Sequence, residues 1–172
     1  MSLDADEVLS PGLIKEIQRC IAEDKPTVQQ AYAIRRESFF CGERIRYGDW
    51  GKDWVVRLFP NEAQIQFTPA QVHERLTGYT QVQRLTYPMF HYTVNTLEQM
   101  IDKLNRYSSL GAQSAPQQGK KSNLSKAIAH GLWRFIRGYI LRFGFLDGQA
   151  GFVLATLNAS EAFYRYLKLI YF

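Results

Sequence analysis

The chain has 172 residues, 46% of them hydrophobic and 22% charged, which suits one packed domain and excludes wholesale disorder. Two cysteines, Cys20 and Cys41, are too few for a disulfide scaffold and lack metal-ligand spacing, so a reducing compartment is expected. No run approaches the ~20 apolar residues that cross a bilayer. The first residues, Met-Ser-Leu-Asp-Ala-Asp-Glu, are acidic where an export signal is basic, and a cytoplasmic location is expected.

A first helix is predicted from Ser10, whose hydroxyl caps the free backbone N–H groups, with Pro11 at the first helical position. Leu13, Ile14, Ile17, Cys20 and Ile21 share one face, and Asp24-Lys25-Pro26 ends the helix. From Val28 to about Tyr92 the pattern is strand-like, with pieces at 31–34, 54–59, 63–67, 81–85 and 89–92 split by turn residues. Between them lies a Gly- and Trp-bearing loop, 47–54, whose aromatic groups either plug a core or present a flat binding surface. Thr96 caps the next helix, with Leu97, Met100, Ile101, Leu104 and Tyr107 as its apolar face. Residues 111–119 read as a polar linker. A helix from about Asn123 to Phe143 is two-faced: Ile128, Leu132, Phe135, Ile136, Tyr139 and Phe143 on one side, Lys126, His130, Arg134 and Arg137 on the other. Gly144-Phe-Leu-Asp-Gly148 breaks it, and a last apolar helix follows.

The net charge of +5 is uneven, with 10 Lys/Arg against 3 Asp/Glu in residues 101–172 and 11 against 13 in residues 1–100. A basic C-terminal part is suited to an anionic partner, whether nucleic acid, membrane surface or phosphorylated glycan. Lys126, Arg134 and Arg137 are the candidates for contact with anionic headgroups. The alternative is an amphipathic helix packed on the domain with its charges in water. Nucleic acid is not expected, since no zinc finger or RNA-binding sheet motif is visible.

Four local patterns bear on chemistry. Asp4-Ala5-Asp6-Glu7 places two carboxylates where they can hold Mg²⁺ or Mn²⁺ with positions left for diphosphate oxygens; the bland reading is an acidic cluster ahead of a helix N-terminus. His73-Glu74 pairs an imidazole with a carboxylate that can take a proton from an acceptor hydroxyl, or forms a surface ion pair with Arg75. His91, between Phe90 and Tyr92, completes a metal site or is a hydrogen-bonded core histidine. Arg57 is a phosphate clamp or an outward residue on an alternating strand.

In order along the chain, Asp4–Glu7, the segment 39–50, Arg57-Leu58-Phe59, Val72-His73-Glu74, His91-Tyr92 and the segment 103–108 form a series. It resembles bacterial family-2 glycosyltransferases of the lipopolysaccharide-core type, over nearly the whole chain from Leu3. The resemblance implies an α/β protein with a truncated GT-A fold: a small mixed sheet with helices and a C-terminal helical segment. It implies transfer of a sugar from a nucleotide-diphosphate donor to a glycan or lipid-linked glycan with a divalent metal, Mg²⁺ or Mn²⁺. Asp4 and Asp6 match the metal and diphosphate motif, His91 a further metal contact and Arg57 a donor-diphosphate contact. Glu74 matches the catalytic base, with His73, Trp50 and Trp54 near the acceptor. Expected divisions are an acceptor-side catalytic part at 1–110, a linker at 111–122 and a basic, aromatic helical region at 123–172. In that family about a hundred residues of strands and helices precede the Asp-x-Asp and form the nucleotide pocket. The donor-binding half is therefore expected to be missing here and the chain to be inactive alone, peripheral on the inner face of the cytoplasmic membrane. The competing expectation is a non-catalytic membrane-surface or adaptor protein.

Overall fold

Ser10 opens α1 (Pro11–Glu23) as its spacing predicts: its Oγ accepts the Leu13 N–H at 3.3 Å. Two of the five residues of the predicted apolar face are buried. Leu13 and Ile17 enter a core, whereas Ile14 and Ile21 are exposed. The computed structural model describes residues 1–23, 30–51, 53–61, 65–68, 76–114 and 121–171. The chain divides into two compact units, Met1–Glu37 with Lys52–His91, and Ser38–Gly51 with Tyr92–Phe172, which is not the division at residues 110 and 122 expected from the sequence.

The first unit holds β1 (Glu7–Leu9), most of β2 (Gln30–Phe40), β4 (Asp53–Leu58), β7 (Gln81–Arg84) and the start of β8 (Met89–Val94); in the second, β3 (Glu43–Ile45) pairs with the end of β2. In the first unit β1 runs antiparallel to β8, with Glu7 opposite His91. There β2 pairs antiparallel with β4 and parallel with β7. Two short strands, β5 (Gln66–Phe67) and β6 (Leu76–Thr77), form a separate ribbon. The predicted strand at 31–34 is the start of an 11-residue β2. Arg35, Arg36 and Glu37 hide its continuation: Arg36 is met by Glu7 and Asp53 from other elements, while the exposed Arg35 pairs with Glu37 along the strand. Leu13, Ile17, Tyr32, Ile34, Leu58, Leu85 and Met89 make the core of this unit.

Glu16, a charged residue on the buried side of α1, accepts the N–H groups of Thr86 at 2.9 Å and Tyr87 at 3.1 Å. Burial by itself raises its pKa, but these backbone donors outweigh burial and hold the carboxyl below its ordinary value. A group depressed in the folded state stabilises above its unfolded pKa, and that stability fades as pH falls through the folded value. Glu16→Gln is therefore expected to lower Tm at about pH 7 and to approach wild type near pH 3. A gap of equal size at both pH values would assign the loss to packing.

In the second unit, Cys41 (φ 49°) and Gly42 (φ 85°) form the two-residue hairpin loop between β2 and β3, both in the left-handed region that such a turn demands. Thr96 starts α2 (Leu97–Ser114), accepting the Gln99 N–H at 3.3 Å, and Gln99 in turn accepts the Asn95 N–H at 2.8 Å. The helix runs through residues 111–114, the start of the expected linker. Asn123 caps α3 (Leu124–Phe135) through the Lys126 N–H at 2.8 Å. A π-helical segment, Ile136–Leu141, and a 3-10 turn, Gly144–Asp147, lead into α4 (Gly148–Lys168). Phe40, Ile45, Val94, Met100, Ala150 and Leu154 form this core. The Lys168 ammonium docks α4 onto α2 through the Asn105 carbonyl at 3.0 Å and the Ser108 and Ser109 hydroxyls, each at 2.8 Å.

Candidate functional site

Asp4 to Glu7 fold as a turn, closed by the Glu7 N–H on the Asp4 carbonyl at 3.1 Å, that leads into β1. Sequence reading placed the acidic motif directly ahead of a helix; the intervening strand pairs with β8 and brings His91 to it. Asp6 Oδ2 lies 3.2 Å from His91 Nε2. Glu7, not singled out by the sequence, is the centre of the turn. Its side chain is fully buried and accepts Arg57 Nη2 at 2.8 Å, Arg36 Nη1 at 3.3 Å and the Asp4 N–H at 3.1 Å. Arg57 also pairs with Asp4, and Arg36 with Asp53.

Arg57 was expected on a donor diphosphate, but its guanidinium is already engaged by Glu7 and Asp4. Burial works against its charge, and the two carboxylates more than offset this, raising its pKa above the ordinary value. Asp4, expected beside Asp6 as a metal ligand, is held by Arg57. Four carboxylates (Asp4, Asp6, Glu7, Asp53) thus face two guanidiniums (Arg36, Arg57), leaving a surplus of two negative charges when His91 is neutral. Among the described residues no group of three or more His, Cys, Asp or Glu forms a metal cage. The Asp6 carboxylate and His91 imidazole offer one oxygen and one nitrogen donor. An imidazole nitrogen beside a carboxylate oxygen is a donor set closer to Mn²⁺ than to Mg²⁺, whose preferred ligands are oxygens.

The two tryptophans of the Gly-Trp loop part company. Trp50, expected at an acceptor sugar, packs edge-on against Phe40 with centroids 6.2 Å apart and adjoins the core of its unit. Trp54 is 37% exposed, with the Arg84 guanidinium over its ring at 4.8 Å. Glu74 and His73 lie outside the described residues.

Arg134 and Arg137, the candidates for headgroup contact, gather with Arg142 around a single buried carboxylate in the second unit while staying partly exposed. Asp49 receives Arg134 Nε at 3.0 Å, Arg137 Nη2 at 3.1 Å and Arg142 Nη1 at 2.7 Å. Burial lowers the pKa of Arg134, with Asp49 opposing the shift. Arg137 and Arg142 are five residues apart, a spacing that diverges on an α-helix. They converge because the chain there is π-helical, with the Arg142 N–H on the Arg137 carbonyl at 2.9 Å. Asp147 accepts the N–H groups of Arg46 at 3.1 Å and Tyr47 at 2.8 Å, pinning the loop that carries Asp49. Lys126 is exposed near the start of α3.

The chain is similar over 98% of its length to proteins described as uncharacterized glycosyltransferases. It is 32% identical to one from Rickettsia felis, covering 62% of that protein. It is 27% identical to one from Rickettsia typhi, covering 61%, and 30% identical to one from Rickettsia conorii, covering 63%. The chain thus spans about three-fifths of the length of the curated relatives it matches. No protein-family model matches it, and no solved structure does.

Proposed function

We propose that the chain is the metal- and acceptor-side part of an inverting family-2 glycosyltransferase of GT-A fold and lipopolysaccharide-core type. The supporting observation is the acidic turn that presents Asp6 to His91 in a mixed α/β chain whose relatives carry the description of glycosyltransferases. The donor is a nucleotide-diphosphate sugar and the acceptor a glycan or lipid-linked glycan. The nucleotide pocket belongs to the part of the relatives that this chain does not span.

In this reading Asp6 and His91 hold the divalent cation. When bound, that cation neutralises charge growing on the departing diphosphate. Arg57 does not reach for phosphate; with Glu7 it fixes the turn that aims Asp6. Glu74, beside His73, takes the proton of the acceptor hydroxyl, whose oxygen attacks the anomeric carbon as the bond to the diphosphate oxygen breaks. Trp54, the more exposed tryptophan of the loop, meets a sugar ring.

Mn²⁺ titration followed by electron paramagnetic resonance tests the site on the chain itself. Asp6→Ala or His91→Ala is expected to weaken binding by about tenfold or more, as loss of a ligand does. Unchanged Mn²⁺ affinity in both variants would remove the metal assignment. In a protein joining this chain to the remaining part of its relatives, Glu74→Gln is expected to abolish transfer while sparing Mn²⁺ binding, and near-normal turnover would exclude Glu74 as the base.

A further inference from the structure

The helices of the second unit leave many large apolar side chains exposed. Leu141, Phe143 and Leu146 are each 55–56% exposed at the bend between α3 and α4, Trp133 on α3 is 55% exposed, and Phe145 and Phe152 are nearly as open. Phe143 holds a left-handed backbone (φ 59°) that a bulky residue rarely adopts, with its ring directed outward. Between α3 and α4, Ile128, Leu132, Phe135, Phe163 and Tyr164 line an apolar groove of about 390 Å³. No single helix among the described residues is long and apolar enough to cross a membrane. Leu124–Leu141 and Gly144–Lys168 together have the length and composition, but they meet at 72°. An apolar pair bent in this way is suited to lying in an interface.

At the base of this apolar end, three guanidiniums (Arg134, Arg137, Arg142) share the one carboxylate of Asp49, a local surplus of two positive charges. Asp147, the acidic residue of the bend, is occupied by backbone N–H groups. We propose that the bend between α3 and α4 is a membrane-interface anchor. Its apolar tip enters the headgroup and acyl boundary of an anionic bilayer, and the arginine cluster meets lipid phosphate. The charge selects the bilayer over a second copy of the chain, since a two-fold contact through this face brings two like-charged clusters together. The attachment is carried by the tip and not by a basic outer stripe of α3. It is independent of the glycosyltransferase reading, because Mn²⁺ binding and vesicle binding are measured separately.

Flotation of the chain with phosphatidylcholine vesicles containing about 30% phosphatidylglycerol tests it. Wild type is expected to float with these vesicles and not with pure phosphatidylcholine. The double variant Leu141→Glu/Leu146→Glu is expected to lose binding by about tenfold or more. Ile21→Glu, at an exposed apolar position of α1, is expected to float as wild type does. Brominated lipid is expected to quench the fluorescence of the unmutated chain, with the quenchable part absent in Trp133→Phe, a readout that needs no charged variant to fold. The proposal is overturned if wild type stays unbound, if the double variant binds equally well, if bromine quenching is absent, or if the tip instead mediates a dimer that the double variant converts to monomer without vesicle binding.

Discussion

Glu7→Ala is expected to lower the unfolding free energy by about 3 kcal/mol, the lower end of the cost of removing one partner of a buried ion pair. The Glu7 side chain is fully buried, and the two guanidiniums on it are themselves only 20% and 12% exposed at Arg36 and Arg57. Removing the carboxylate leaves these charges with Asp53 and Asp4 alone, each at the more open side of the turn. The neighbouring Asp4→Ala is the contrast: its side chain is 54% exposed, and a cost within about 1 kcal/mol is expected. Urea unfolding with an unchanged m-value measures both. If the two variants were equally mild, the buried carboxylate would not be what holds the turn. The link to function is positional, since Glu7 fixes the backbone next to Asp6 and sits opposite His91 in the strand register.

The second large effect is expected at Gly151, in the first turn of α4. Helix propensity alone favours Gly→Ala there by about 1 kcal/mol. Tertiary contact reverses the sign. A Cβ at Gly151 falls 1.9 Å from the Gly144 carbonyl oxygen and 3.0 Å from Asp147 Cβ, and the first of these is backbone that cannot rotate aside. Gly151→Ala is therefore expected to destabilise by about 3 kcal/mol, the upper end of ordinary overpacking. It should also disturb the Asp147 bonds that hold Arg46 and Tyr47. Gly42→Ala differs in kind: nothing lies within 4 Å, but φ is +85°, and strain alone is expected to cost about 1–2 kcal/mol. Thermal unfolding of the pair separates crowding from strain. A Tm for Gly151→Ala above wild type would show that the bend opens freely.

Much of the local structure was legible because its causes are local. Ser10, Thr96 and Asn123 each open a helix through hydrogen bonds spanning three residues, and such short-range chemistry is written directly in residue order. The break at Gly144–Gly148 was legible for the same reason. The long β2 was not, because the charged run 35–37 looks like the end of a strand until Arg36 has its partners Glu7 and Asp53 from other elements in place.

The candidate site shows the same division. The order of an acidic pair, a lone arginine and a histidine along the chain is what carried the family resemblance. The sequence also showed the two-faced helix and the C-terminal charge surplus. Only the tertiary structure decided which carboxylate is buried, that Arg57 serves Glu7 and Asp4, that Trp50 packs on Phe40, and that Arg134, Arg137 and Arg142 share Asp49. The physical reason is that a charge has no preferred neighbour along the chain. Its partner is chosen by burial, where an unpaired ion costs several kcal/mol, and burial depends on elements as much as 93 residues apart in the pairing of Asp49 with Arg142.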